Sequence, residues 1–126
     1  MNNFSITVIK EVNITAEDID DIMCSALDGG ITYWCNRAKV VGKYLGEYAS
    51  EQISRGGSLI LHDAEEDKCY ILTIHNLLNG IKKAIAENYY SDYEWVVGNK
   101  LDTCQVDACV ADVIIQLALF DDVVYG

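Results

Sequence analysis

Few side chains in this 126-residue sequence have the type and spacing that chemistry needs. Asp112 and Gln116 stand four apart in an apolar run, on the side away from Val113 and Leu117. A carboxylate on so apolar a helix must be paired or perturbed, so the two residues form either a polar seam to another element or a site. His62 and Asp63 end a strand-like run and His75 opens a helix, a spacing that an acid/base pair could use. Ser50, Ser54 and Ser58 lack the strand, turn and helix setting of a nucleophile elbow.

The stretch GGITYWCNR, residues 29 to 37, sets two glycines against Tyr33 and Trp34. Glycines let backbone N–H groups approach a phosphate, an aromatic ring can stack on a base, and Arg37, Lys39, Lys43 and Arg55 are the densest concentration of positive charge. That combination defines a candidate nucleotide-binding site of Tyr33, Trp34, Arg37 and Arg55, although it lacks the order of a dinucleotide or phosphate-loop fingerprint. Read structurally, Gly29 caps a helix, Gly30 turns the chain, and Tyr33 and Trp34 face opposite sides of a strand. In a third reading Trp34 is an exposed anchor for a protein partner.

The five cysteines, Cys24, Cys35, Cys69, Cys104 and Cys109, are odd in number and irregular in spacing. Free thiols serving as small hydrophobes account for them. Paired Cys-x2-Cys units are absent, and Cys104-x4-Cys109 with His62 or His75 is a poor substitute for a zinc site. No catalytic triad, cofactor motif or metal motif emerges, and the reading is of a non-enzymatic protein without a cofactor.

Charge patterning is more informative. Twenty Asp and Glu against nine Lys and Arg give a formal net charge of −11, a field that repels nucleic acid and anionic membranes and favours basic partners. Residues 11 to 36 hold six carboxylates and no base, and residues 101 to 126 hold five and again no base. The N-terminus lacks a basic region followed by a sustained apolar core, and no run approaches the roughly 20 apolar residues of a membrane span, which points to a cytoplasmic protein.

The elements that must position these residues follow from periodicity. FSITVI, residues 4 to 9, alternates β-formers and predicts a strand. Thr15 and Asp18 form a capping box ahead of the helical stripe Ile19, Ile22, Met23, Ala26 and Leu27. ITYWCNRAKVV suits a strand, and residues 44 to 55, ending before a glycine pair, suit a helix. LILHD and CYIL flank a connection of hairpin length. Thr73 caps a helix with Ile74, Leu77, Leu78, Ile81 and Ile85 on its stripe. Residues 87 to 100 read as an aromatic loop with a strand at EWVV, where Tyr89, Tyr90 and Tyr93 could serve self-association. A helix apolar on most sides covers about residues 103 to 120, and DDVVYG is a candidate closing strand. The sum is a single α+β domain over residues 1 to 126, three to four helices packed on a small, mainly antiparallel sheet.

ITAEDIDDIM, ALDGGITYWC, VGKYLGEYASEQISRGGSLILHD and DACVADVIIQLALFDDVVYG together resemble an uncharacterised group of small acidic proteins carried by phages and conjugative elements of gut Firmicutes. The resemblance covers nearly the whole chain, implies a mobile-element setting in which products often manipulate host defence, and defines no functional residues. In that setting Glu17, Asp20, Asp21 and Asp28, lying off the apolar stripe and projecting into solvent, and Asp121 and Asp122 beyond the last helix could imitate the phosphate rows of a duplex. The partner would be a basic host nuclease or DNA-binding protein, and the protein a counter-defence DNA mimic.

Overall fold

The computed structural model describes residues 2–87, 89 and 94–126. Helix α1 (Ala16–Ser25) starts at the expected capping box: Thr15 Oγ1 accepts from the Asp18 amide at 3.0 Å, and Asp18 Oδ2 accepts from the Thr15 amide at 3.0 Å. Ile19, Ile22 and Met23 bury its inner face. Instead of a glycine cap, the helix runs on into one π-type turn, Ala26–Gly30. The chain then turns at residues 32–34 and enters strand β1 (Cys35–Val40), so Tyr33 and Trp34 precede the strand rather than alternate along it.

Strands β2 (Leu59–Asp63) and β3 (Cys69–Leu72) form the expected hairpin, and the sheet order is β1-β2-β3, antiparallel throughout. Leu59, Leu61 and Leu72 are fully buried on its inner face. Helix α2 (Ile74–Ala86) begins at Thr73, whose hydroxyl accepts from the Asn76 amide at 3.2 Å. A short hairpin of β4 (Val96–Val97) and β5 (Lys100–Leu101) follows, then helix α3 (Ala108–Phe120), capped by Asp107. Helices α2 and α3 touch where Gly80 leaves no side chain, since a Cβ there would lie 2.5 Å from the Ile114 carbonyl oxygen. The result is an α+β domain with three helices, among the described residues, packed against two small antiparallel sheets. No described helix is long and apolar enough to cross a membrane.

Four expectations are corrected. Residues 4–9 form no strand, and Phe4, Ile6 and Ile9 are each more than four-fifths exposed, because β propensity without a ladder partner does not make a strand. Residues 44–55 hold only a single 3-10 turn, Ala49–Glu51. There the buried Gln52 accepts from Leu45 N at 2.9 Å and donates to the Lys43 carbonyl at 3.1 Å, while Glu51 accepts from the amides of Glu47 and Tyr48. Side chains thus take backbone groups that a helix would have paired. The ending 121–126 is not a strand, since Asp121 turns left-handed at φ 58° and the tail folds back over α3. Four cysteines, Cys24, Cys69, Cys104 and Cys109, are exposed, and Cys35 alone serves as a core hydrophobe. Tyr89 is half-buried against the core, whereas Tyr90 and Tyr93 lie outside the described residues.

Candidate functional site

Helix α3 is buried from Val110 to Leu117, and Asp112 and Gln116 share one face of it at a separation of four. Asp112 is 9 % exposed, yet its carboxylate meets no cation among the described residues. Its charge is held by three donors instead: the Tyr33 hydroxyl at 2.6 Å, the Trp34 indole Nε1–H at 2.8 Å and the Gln116 amide at 2.9 Å. Hydrogen bonds to a charged acceptor are roughly twice as strong as neutral ones, which is how a carboxylate survives without a counter-ion in such a place. Gln116 Nε2 also reaches the Tyr33 hydroxyl and the Tyr125 carbonyl, both at 3.2 Å. Its Oε1 accepts from the amides of Val124 and Tyr125, both at 2.8 Å. One side chain therefore closes the carboxylate's shell and fastens the tail.

The fastened tail completes an aromatic cluster. Tyr125 stacks on Trp34 with ring centroids 4.7 Å apart and planes 2° from parallel, and Phe120 meets both rings edge-on. The Tyr125 hydroxyl lies 3.3 Å from that of Tyr70 and donates to Asp63 Oδ2 at the end of β2. Asp63 Oδ1 accepts from the amides of Glu65 and Glu66 at 2.8 and 2.9 Å. The Tyr125 hydroxyl and these two amides hold the Asp63 carboxyl below the usual carboxylate range, and the same contact to Asp63 pushes the Tyr125 phenol up. Tyr125 lines two surface clefts. One, of about 510 Å³, is bordered by Gly29, Gly30, Tyr33, Asp112 and Val123; the other, of about 410 Å³, by Asp63, Glu65, Lys68, Tyr70 and Phe120. At the first, Gly30 is required: a Cβ there would sit 2.6 Å from the Ala108 carbonyl oxygen at the start of α3.

The structure sorts the sequence candidates differently from their spacing. Asp112 and Gln116 come together with Tyr33 and Trp34 as a polar seam, one of the two alternatives their spacing allowed. Tyr33 is half-exposed and Trp34 is buried beneath Tyr125, so Trp34 is neither an open stacking platform for a base nor an exposed anchor. Tyr33 and Trp34 do not face opposite ways; their polar atoms converge on one carboxylate. Arg37 lies on the outer side of β1, and Arg55 is 3.9 Å from Glu51. His62 is paired with Cys69 rather than with Asp63, and His75 is exposed at the start of α2. Among the described residues no three or more His, Cys, Asp or Glu gather as metal ligands. Tyr125 is the participant that sequence reading missed, because nothing in DDVVYG announces a partner 91 positions earlier in the chain, at Trp34.

The acidic residues also change. Asp20 and Asp21 do not simply project into solvent: Asp20 accepts from the Ser54 hydroxyl at 2.6 Å and Asp21 from the Thr103 hydroxyl at 2.8 Å. Asp121 pairs with Lys83 Nζ at 2.8 Å, and Asp122 accepts from the Val123 amide at 2.8 Å. Glu17 and Asp28 are exposed and, among the described residues, have no hydrogen-bond or ion-pair partner. The Asp21–Thr103 bond and the seat of Gly30 against Ala108 bring the two base-free segments into contact, at the 3-10 turn Thr103–Gln105 and at the start of α3. Asp121 and Asp122 stand at the far end of α3, about 20 Å away by helix rise.

Fold and site together define an α+β domain organised around a buried, internally satisfied carboxylate, with an acidic face built from its first helix and the approach to its last. Comparison with known proteins returns no match to a family model, a curated protein or a solved structure.

Proposed function

We propose that the protein is a binding module that docks its acidic face on a basic, nucleic-acid-binding host protein and competes there with nucleic acid. The observation that carries this reading is the packing of two base-free segments against each other through Asp21 and Thr103, which concentrates charge that the sequence holds 82 residues apart. Carboxylates at helical spacing along α1 interact with a cationic channel by the same Coulomb term that holds duplex phosphates there. The resemblance to mobile-element proteins supports a counter-defence setting for such an inhibitor. The alternative, a nucleotide binder at Tyr33, Trp34, Arg37 and Arg55, is disfavoured because the stacking surface of Trp34 is already occupied by Tyr125.

A pull-down of host lysate with the tagged protein, at low and high salt and with duplex DNA as competitor, tests the reading. The expected result is capture of a basic nucleic-acid-binding protein that salt and DNA each release, and that Glu17→Lys with Asp28→Lys no longer captures. Capture insensitive to salt and to both substitutions, or no capture at all, overturns it.

A further inference from the structure

The outer face of the three-stranded sheet carries chemistry that the acidic face does not use. Arg37, His62 and Cys69 occupy one row across it, since Arg37 is the register partner of His62 and His62 of Cys69. Cross-strand partners in an antiparallel sheet share a face, and here that face is opposite the one buried by Leu59, Leu61 and Leu72. Cys69 is exposed, and its Sγ lies 3.1 Å from His62 Nδ1. Cys24, Cys104 and Cys109 are exposed too, but among the described residues Cys69 alone of the four has an imidazole in hydrogen-bond reach.

We propose that Cys69 is a nucleophilic thiol site for small, carboxylate-bearing disulfides, with His62 as proton acceptor and Arg37 as the cation that draws the carboxylate. The thiol proton passes from Sγ to His62 Nδ1 as Sγ attacks one sulfur of the disulfide. The new bond joins Sγ to that sulfur, the old S–S bond breaks, and the departing thiolate takes the proton held by the imidazole. The disulfide is itself the oxidant, so one mixed disulfide and one free thiol balance the step. Arg37 and Cys69 stand two strand spacings apart, about 10 Å, a span that a tripeptide disulfide such as glutathione disulfide covers. The adjoining turn holds Asp63, Glu65, Glu66 and Asp67 beside Lys68, which pairs with Glu66 at 2.8 Å, so Arg37 draws the carboxylate against local negative charge.

The test is site-resolved labelling of the whole chain at neutral pH, read by peptide mass spectrometry, with neutral iodoacetamide and with glutathione disulfide. Cys69 should react about tenfold or more faster than Cys24, Cys104 and Cys109 with both reagents. His62→Gln should bring Cys69 down to their rate with both. Arg37→Gln should slow the glutathione disulfide reaction several-fold and leave alkylation unchanged. Buried Cys35 reports folding in each variant, because it stays unlabelled only while the core is intact. Should the His62 variant not fold, the wild-type rate comparison and the Arg37 variant still decide. The proposal is overturned if Cys69 reacts no faster than the other exposed thiols, if a folded His62→Gln protein keeps the wild-type rate, or if Arg37→Gln affects both reagents alike or neither.

Discussion

The indole N–H of Trp34 donates to the carboxylate of Asp112 across 2.8 Å, although the two residues are 78 positions apart. That bond, with the Tyr33 hydroxyl at 2.6 Å on the other oxygen, joins the turn before β1 to the middle of the last helix. It also fixes the ring on which Tyr125 stacks, so the seam, the aromatic cluster and the tail stand or fall together.

Removal of the Asp112 carboxylate should therefore be costly. Asp112→Ala leaves the Trp34 N–H without its acceptor in the core and weakens the shells of Tyr33 and Gln116. Unfolding by urea should show a loss of about 3–5 kcal/mol. A loss below about 1 kcal/mol would mean that the seam does not organise the fold.

Gln116 fastens the tail more than it supports the helix. Gln116→Leu keeps the volume in the core but removes the acceptor of the Val124 and Tyr125 amides. Hydrogen exchange at those two amides should accelerate by about tenfold or more, with α3 amides changed far less. Near-UV circular dichroism should lose the contribution of the Trp34–Tyr125 stack. Unaltered exchange at both amides would refute the anchoring role.

The contact between Tyr125 and Asp63 sets a dependence on acid. The Tyr125 hydroxyl, with the amides of Glu65 and Glu66, lowers the folded-state pKa of Asp63, so its stabilising contribution is present above the unfolded carboxylate value of about 4. It is lost as pH falls through the lower folded value. Melting temperatures of the wild type and Asp63→Asn should thus differ at neutral pH, with the wild type higher, and converge as pH drops below about 4. A gap that persists unchanged into strong acid would contradict this assignment.

The two glycines at residues 29 and 30 should respond oppositely to one methyl group. Gly30→Ala drives a Cβ to 2.6 Å from the Ala108 carbonyl oxygen, a backbone atom that cannot step aside, while a Cβ on Gly29 meets nothing within 4 Å. Gly30→Ala should cost about 1–3 kcal/mol by denaturant titration, and Gly29→Ala should stay within about 0.5 kcal/mol of the wild type. Equal effects would show that the turn at Gly30 and the start of α3 do not approach so closely.

Much of the local architecture was legible because it rests on local rules. The Thr15 and Asp18 capping box, the Thr73 cap, the β2–β3 hairpin and the apolar character of α3 are determined by neighbours within a few positions and are found, although α3 begins at Ala108 rather than near residue 103, where the separate 3-10 turn Thr103–Gln105 stands. Asp112 and Gln116 stood out for the same reason, as polar residues in a run whose periodicity demands burial. FSITVI and residues 44 to 55 misled because propensity is only a weak prior. The first has no ladder partner among the described residues, and the second lost its backbone groups to Gln52 and Glu51.

By itself, then, the sequence determined the caps of α1 and α2, the β2–β3 hairpin and the apolar last helix, that the chain would be acidic, and that Asp112 would need partners. It could not name those partners. The donors to Asp112 come from the turn at Tyr33 and Trp34, the tail is held by Gln116, and Asp21 finds Thr103, all through approaches between segments that no periodicity links. Tertiary packing alone decided them: a buried carboxylate must be satisfied by whatever donors the core brings within about 3 Å. The closeness of the π-type turn after α1 to the start of α3, permitted by the bare Cα of Gly30, sets which segments face one another.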